Sequence, residues 1–360
     1  MSSPARRIPS LDGLRALSIA LVIVSHLLGT RGFPFGTRAM GTVGDFGYLG
    51  VKVFFVISGY LITTLLMKEH ARTGAISLKG FYVRRVWRIF PAFYAFVAVM
   101  VVGWAIGVVA LNHGDLLAAV TYTMNASMSL AFWPIYHYDR SWELGHIWSL
   151  SIEEQFYLVW PFVFVLVGRT RVVPAAIAMI ALALVCRALV WFLLRSDNLA
   201  EEAYPCVMDS IAVGCLMAGL AARLDASAAY QRFLRSPWFL LVPIAVAAGQ
   251  TQAHPAFQFT IGTTAANLGV ALLVDRAVRC HTDPIGRLLN WRPLVWVGTL
   301  SYSLYLWQEP FLNHFHPSRA TTYPLNLALA VACAIASFYL VEQPILTWRA
   351  QRAARAAAGA

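Results

Sequence analysis

Residues 173–194 read VPAAIAMIALALVCRALVWFLL and contain a single charged side chain, Arg187. About 20 consecutive apolar residues are enough for a helix to cross the hydrocarbon core of a bilayer. This run is therefore long enough to span a membrane by itself. Comparable runs recur along the chain of 360 residues. They predict an all-α fold, that of a polytopic membrane protein surrounded by lipid bilayer.

The overall composition excludes several other classes of protein. Hydrophobic residues make up 59% of the chain and charged residues 12%, whereas soluble domains carry about 25% charged residues. The formal charge of +11 does not indicate nucleic acid binding, because the basic residues lie at the ends of apolar runs and not in one stripe. The five cysteines form no Cys-x-x-Cys pair, so neither a metal site nor a disulfide framework is predicted.

The apolar runs also predict how the chain crosses the membrane. The ten predicted spans are Leu14–Leu28, Phe46–Met67, Phe90–Leu111, Ile147–Val167, Val173–Leu194, Pro205–Ala222, Trp238–Gly249, Phe259–Val274, Leu294–Leu312 and Leu325–Val341. With both termini in the cytosol, 21 of the 28 lysines and arginines lie in cytosolic segments. The other seven are Arg31, Arg38, Lys52, Arg140, Arg187, Arg195 and Arg319. Cytosolic loops are enriched in Lys and Arg, so this orientation is predicted.

One domain is expected. Residues 1–345 are predicted to form the transmembrane domain, and residues 346–360 a short basic cytosolic tail. The outer segment 112–145 is of intermediate polarity and is expected to be partly helical. Its aromatic residues, Trp133, Tyr136, Tyr138 and Trp142, suit a membrane interface.

The first predicted span contains two ionisable residues, Arg15 and His26. An ionisable side chain within a span costs roughly 2.5–3.5 kcal/mol on insertion scales, so each is a candidate functional residue. Their separation corresponds to about three helical turns, or ~16 Å, so they share one face of the helix at different depths. The structural alternative is an arginine that extends to the interface and a histidine bonded to a neighbouring helix.

The fourth span begins with the segment His146 to Tyr157, which places Glu153 and Glu154 in the outer half of the membrane. Ser151 and Glu154 have the spacing of a capping box, so Glu154 is assigned either to helix initiation or to substrate binding. Glu153 has no such structural explanation. A buried carboxylate on the same side as His26 can orient the imidazole and stabilise its charged form.

The cytosolic segment Phe81 to Pro91 carries Arg84, Arg85 and Arg88. Taken alone, the pattern is typical of a positive-inside anchor with an interfacial tryptophan. Arg85 and Arg88 are one helical turn apart, however, and guanidinium groups can bind phosphates through paired hydrogen bonds. The segment is therefore either a membrane anchor or a binding site for a nucleotide-containing carrier.

Polar residues in later spans are further candidates. Asp209 lies early in the sixth span and needs a partner or water. The segment Ser301 to Pro310 places Tyr302, Gln308 and Glu309 in the ninth span. Asp209, Tyr302 and Gln308 are assigned to the wall of a hydrophilic, substrate-binding cavity. Polar contacts between helices are the alternative.

In their order along the chain, these segments resemble the acyltransferase family 3 membrane proteins, which include O-antigen, exopolysaccharide, peptidoglycan and macrolide O-acyltransferases. The resemblance runs from Leu11 to about Arg349. Its marks are Leu11-Asp12-Gly13-Leu14 with Arg15 and His26, Phe54-Phe55 with Ser58-Gly59-Tyr60, Arg85 and Arg88 with Pro91, Trp148-Ser149-Leu150 with Glu153-Glu154-Gln155-Phe156-Tyr157, Asp209, the segment Ser301 to Pro310, and Glu342 with Pro344. Each motif is short, and the ordered set is what is specific.

The resemblance implies a core of ten helices with His26 as catalytic base or acyl relay, Arg15 as its support and Glu153 as its acidic partner. It implies that acyl-CoA, with acetyl-CoA as the expected donor, binds at Arg85 and Arg88, to which the neighbouring Arg84 is added here as a further candidate. Many relatives have His where this chain has Gln308, so the role of that histidine is not carried over. Some relatives have an outer hydrolase-like domain after the core, which is not expected here.

The implied function is transfer of an acyl group, with acetyl as the expected one, from cytosolic acyl-CoA to a hydroxyl of a surface carbohydrate or glycolipid. The implied location is a bacterial cytoplasmic membrane. A macrolide or another secondary metabolite is the alternative acceptor. Two alternatives belong to other classes: a transporter or flippase of lipid-linked sugars, which also places polar groups within a bundle, and an accessory subunit. Release of free CoA thiol would distinguish an enzyme from a transporter.

Overall fold

The computed structural model describes residues 8–35, 45–130, 142–251, 254–313 and 316–358, and all regular structure within these ranges is helical. The α-helices are α1 (Pro9–Leu27), α2 (Asp45–Thr73), α3 (Leu78–Ala105), α4 (His113–Val120), α5 (Met124–Leu130), α6 (Ile147–Val167), α7 (Val172–Leu189), α8 (Asp197–Glu202), α9 (Tyr204–Ala226), α10 (Ala228–Arg235), α11 (Leu241–Thr251), α12 (Pro255–Phe257), α13 (Thr263–Arg279), α14 (Pro284–Leu289), α15 (Arg292–Leu312), α16 (Leu325–Ser337) and α17 (Gln343–Ala358). Turns of π-helix cover Val190–Leu194, Gln258–Gly262 and Phe338–Glu342, and turns of 3-10 helix cover Trp142–Leu144, Arg169–Arg171 and Pro237–Leu240. The predicted fold class is confirmed.

The number of crossings is close to the predicted ten. Among the described residues, 8 helical stretches are long and apolar enough to cross a membrane. A ninth crossing is added if the pair Ala228–Arg235 and Pro237–Gln250, bent by 66°, is one span. The remaining predicted span corresponds to α15, which has 21 residues but is too polar to be counted by composition. The chain is a polytopic helical membrane protein.

The structure corrects the local interpretation of the sequence near the starts of α6 and α3. Helix α6 begins at Ile147, so Ser151 lies inside it and its hydroxyl donates to the Ile147 carbonyl at 2.9 Å. The predicted capping box is therefore wrong. Helix α3 begins at Leu78, after Ser77 has capped it by accepting a hydrogen bond from the Gly80 amide at 3.1 Å. The basic segment from Phe81 to Pro91 is thus helix and not loop, which fixes the directions of its arginines.

The outer segment and the tail were assigned by sequence alone. Helices α4 and α5 confirm that the segment 112–145 is partly helical, while Trp133, Tyr136 and Tyr138 lie outside the described residues. Residue 345 lies within the continuous helical stretch Leu325–Arg352. No break in the helix marks the predicted boundary between core and tail.

The helices differ in how far they are enclosed by their neighbours. The most apolar window of the stretch Leu199–Ala226, which contains α9, is 67% buried, whereas that of Arg169–Leu194, which contains α7, is 11% buried. Leu166, Leu193 and Leu340 are more than two-thirds exposed. In a membrane protein such apolar side chains face lipid, so α9 is central and α7 is peripheral.

Glycine allows the central helices to approach each other closely. A Cβ atom added to Gly59 on α2 would collide with the Ile211 carbonyl on α9, and one added to Gly214 would collide with the Val56 carbonyl on α2. Gly298 on α15 faces the Asp12 carbonyl on α1 in the same way. Small residues of this kind bring transmembrane helices into backbone contact, and here they hold α1, α2, α9 and α15 together.

A fully buried ion pair joins α7 to α9. Asp209, predicted to bind substrate, is 0% exposed and pairs with Arg187 through two hydrogen bonds of 3.0 Å. Thr264 on α13 donates to the same carboxylate at 2.5 Å. All of these groups have partners inside the protein, so the assignment of Asp209 to substrate binding is wrong. Its role is to bind three helices together.

Candidate active site

His26 lies at the end of α1 and faces a cavity of about 240 Å³. Its walls come from the starts of α2 and α6 and from the end of α15. The residues that line it include Tyr48, His146, Trp148, Tyr305 and Glu309. The His26 side chain is 35% exposed. It is therefore accessible from the cavity while its backbone remains within the bundle.

Two side chains of α15 contact the imidazole of His26. Its Nδ1 is 2.5 Å from the Gln308 side-chain oxygen and 3.3 Å from a Glu309 carboxylate oxygen. Both are acceptors, so they favour the tautomer in which Nδ1 carries the proton and Nε2 holds the lone pair. Gln308 is fully buried and Glu309 is nearly so. This arrangement leaves Nε2 as the basic nitrogen.

The acidic partner of His26 is therefore Glu309 and not Glu153. Ser58 donates to a Glu153 carboxylate oxygen at 2.5 Å, and the Tyr157 hydroxyl donates to Ser58 at 2.9 Å. Glu153 lies in the middle of the bundle in this separate chain of hydrogen bonds. The structure places Glu309 and not Glu153 beside His26, so the predicted dyad of His26 and Glu153 is wrong.

His146, just before α6, is a cavity residue to which the sequence had assigned no role. Its ring is buried, stacks obliquely on Tyr305 at 5.5 Å and lies within electrostatic range of His26. The Tyr305 hydroxyl donates to the His146 backbone carbonyl at 2.8 Å. Pro310, which lacks an N–H, leaves the Leu306 carbonyl without its helical partner, and that carbonyl lies beside the His146 ring.

Arginines form a second polar centre, which we call the arginine cluster: Arg15, Arg85 and Arg88. The Arg85 guanidinium lies 4.4 Å from the centre of the Tyr157 ring, in range of the Glu153 charge. Arg88 is exposed and interacts electrostatically with Arg15 and with Glu342. Along α1 the cluster is separated from His26 by ~16 Å.

Arg84 does not belong to this cluster. It forms an ion pair of 2.9 Å with Glu69 at the end of α2, and its backbone carbonyl accepts a hydrogen bond from Arg349. Helical geometry explains the difference, because adjacent residues of a helix point in different directions. The assignment of Arg84 to donor binding has no support in this geometry, whereas Arg85 and Arg88 remain candidates.

Three other predicted substrate-binding residues lie away from the cavity or are otherwise engaged. The Tyr302 hydroxyl donates to the Ile89 carbonyl at 3.0 Å. Gln308 uses its side-chain oxygen on His26. Glu154 has one buried carboxylate oxygen without a hydrogen bond among the described residues, and it is in electrostatic range of Arg85. Glu154 therefore belongs with the arginine cluster.

The apolar bundle thus contains two polar centres: a histidine with an oriented basic nitrogen, and a group of cations. A family model described as an acyltransferase domain matches residues 8–342. The chain belongs to this family, acyltransferase family 3, and the resemblance found in the sequence is confirmed. No solved structure matches the chain.

The chain is similar to several curated proteins. It is 31% identical to the putative peptidoglycan O-acetyltransferase YrhL of Bacillus subtilis strain 168, over 95% of this chain and 55% of that protein. It is 28% identical to the peptidoglycan O-acetyltransferase OatA of Listeria monocytogenes, over 94% and 56% of the two chains. The O-acetyltransferase OatA of Staphylococcus aureus strain NCTC 8325 is also 28% identical, over 96% and 58%. The chain spans slightly more than half the length of these relatives.

Proposed function

We propose that the protein is a membrane O-acetyltransferase that transfers an acetyl group from acetyl-CoA to a hydroxyl of a cell-wall polysaccharide. The observation that supports this most directly is the hydrogen bonding of His26, whose Nδ1 is held by Gln308 and Glu309 at 2.5 and 3.3 Å. The same arrangement is what a general base for a hydroxyl requires. The acetyl group and the polysaccharide acceptor are proposed from the names of the relatives, two of which are called peptidoglycan O-acetyltransferases.

In the proposed reaction, Nε2 of His26 takes the proton of the acceptor hydroxyl. The hydroxyl oxygen attacks the thioester carbonyl, the carbon–sulfur bond breaks, and the departing thiolate takes the proton back from Nε2. Glu309 stabilises the imidazolium formed in between, because an anion close to His⁺ favours its charged form. The side-chain oxygen of Gln308 holds the ring in place throughout.

The arginine cluster is the proposed site for the donor's phosphates. Arg85 and Arg88 project from the first turns of α3, which the positive-inside count places toward the cytosol. His26 lies ~16 Å along α1 from Arg15, so the donor has to extend through the bundle to place its thioester there. The acceptor then enters the His26 cavity from the opposite side, in the cytoplasmic membrane of a bacterium.

Turnover by the purified protein tests this function. The protein in detergent should release CoA thiol from acetyl-CoA only when a glycan acceptor is present, and mass spectrometry should find the acetyl group on that glycan. Thiol release in equal amounts with and without glycan would identify a thioesterase instead. Lack of release with all glycans tried, from protein that binds donor, would contradict the proposal.

A further inference from the structure

A smaller pocket of about 90 Å³ adjoins the His26 cavity. The two share three wall residues, Tyr48, Val51 and Trp148. The smaller pocket extends from there between α2, α9 and α11 and the π-helical turn Gln258–Gly262. The two spaces therefore lie side by side, with Tyr48 and Trp148 lining both.

Charged and amide side chains line this pocket, although it lies within an apolar bundle. Lys52 and Glu201 supply one charge of each sign, and Gln250 and Gln258 supply amides. Lys52 donates to the Gln250 side-chain oxygen across a long 3.5 Å contact. Gln250 is buried, at 6% exposed. Polar side chains in a membrane span are costly, and such residues usually mark a binding path.

Aromatic rings form a wall that is common to the two spaces. Tyr48 and Trp148 lie with ring centres 5.6 Å apart at 34°, and Phe55 meets Trp148 edge-on at 6.3 Å. Rings of this kind offer flat apolar surface and, in Tyr and Trp, a polar edge. The wall is fixed by these ring contacts and by the helices that carry it.

Resting on the proposed function, we propose that this pocket is a second acceptor subsite, which binds the saccharide unit next to the one that is acetylated. Each sugar hydroxyl both donates and accepts a hydrogen bond. Lys52 can only donate, the Glu201 carboxylate can only accept, and the two glutamines do both. The opposite charges of Lys52 and Glu201 balance, which suits neutral hydroxyls better than an anion. The carbon-bound hydrogens of the ring can pack on Tyr48 and Trp148.

The subsite predicts a preference for longer acceptors. Purified wild-type protein should bind a disaccharide of N-acetylglucosamine and N-acetylmuramic acid more tightly than either monosaccharide, with the neutral N-acetylglucosamine in the subsite and the N-acetylmuramic acid at His26. Calorimetry without any donor measures this. Lys52→Met and Gln250→Leu, which keep the size of the side chains, should reduce this preference by about tenfold, the effect of one or two lost hydrogen bonds. Lys68→Met is the matched control, because Lys68 is an exposed lysine further along α2, away from both cavities.

The possible outcomes differ in what they exclude. An unchanged preference in Lys52→Met and Gln250→Leu, with melting temperatures like that of the wild type, would overturn the subsite. So would an equal loss for monosaccharide and disaccharide, or wild-type protein that binds all three sugars equally. Because binding is measured without acetyl-CoA, these results bear on the subsite alone. A protein that prefers the disaccharide and transfers no acetyl group would retain the subsite and refute the proposed acetyl transfer.

Discussion

The side chains that orient the imidazole of His26 belong to residues that are far from it in sequence. Gln308 and Glu309 both approach its Nδ1, although consecutive residues of a helix point about 100° apart. The neutral amide makes the shorter contact and the carboxylate the longer one. This combination orients the ring through the amide and leaves the carboxylate close enough to stabilise a positive charge when it forms.

Replacing His26 with alanine should lower acetyl transfer by about 10²- to 10⁴-fold, the range for a lost acid–base group. The variant should still insert and bind acetyl-CoA, because the arginine cluster lies ~16 Å away. CoA thiol release and donor binding by calorimetry, on equally expressed protein, measure the two effects. Transfer at close to the normal rate by folded His26→Ala would refute the mechanism.

Glu309→Gln should lower transfer less than His26→Ala, since the ring keeps a hydrogen-bonding neighbour but loses the nearby negative charge. Combining the two substitutions should cost little more than His26→Ala alone, because residues that act as one unit are not additive. Steady-state rates of the three variants test this. If Glu153→Gln showed that non-additivity and Glu309→Gln did not, the partner would be Glu153 after all.

The sequence singled out His26, the proposed base, more clearly than the acidic residue that lies beside it. Arg15 and His26 were identified by the cost of placing ionisable groups in a span. The cost of an ionisable side chain in a span is the same for Glu153 and for Glu309, so it does not indicate which of them lies beside His26. The choice depends on packing: α15 lies against the His26 end of α1, while Glu153 is directed toward Ser58 on α2.

Among the helices, the first turns of α3 carry the proposed donor site. Arg85→Ala and Arg88→Ala should each weaken acetyl-CoA binding by about 1.5–3 kcal/mol, the range for one charged hydrogen bond. Lys79→Ala is the control, since Lys79 is an exposed cation of the same helix outside the cluster. Calorimetric binding to the purified variants decides the matter. If both arginine variants bound donor as the wild type does, the segment would be only a membrane anchor.

The crossing of α2 and α9 gives a prediction about stability. Gly59→Ala and Gly214→Ala should each destabilise the protein by about 1–3 kcal/mol, the usual cost of overpacking, because the added Cβ meets a backbone carbonyl of the other helix. Gly249→Ala on α11 has open space around it and should be neutral. Thermal unfolding in one detergent measures all three. Equal melting temperatures would show that the helices can separate at no cost.

Helix positions were largely predictable, whereas the contacts that cap a helix start were not. The predicted fourth span, Ile147–Val167, coincides with α6, because length and apolar content define a span. The same sequence contained a capping box whose serine lies a full turn inside the helix. His146, the residue before α6, makes no capping hydrogen bond through its side chain. Its carbonyl accepts a hydrogen bond from the Tyr305 hydroxyl, a contact that no local pattern reveals.

For the whole molecule, the two polar centres lie at different depths, so their assignment to donor and acceptor depends on orientation. Helix α1 connects them, with Arg15 in its first half and His26 in its last turn. The span count could be predicted from sequence within one or two, and it was least certain where a span is bent, at α10 and α11, or polar, at α15. The ion pair of Arg187 with Asp209 was not predictable, because its two members come from different spans.

Orientation itself follows from the count of basic residues and is tested by labelling. With both termini in the cytosol, seven of the 28 lysines and arginines lie outside the cytosolic segments, a bias that favours this topology over its inverse. In a background free of the five native cysteines, a membrane-impermeant maleimide added to intact cells should label His113→Cys, an exposed position at the start of α4. It should label Arg72→Cys and Arg352→Cys, also exposed, only after the membrane is permeabilised. The reverse pattern would place the arginine cluster outside the cell, where acetyl-CoA is not supplied, and would remove the basis for assigning the donor to it.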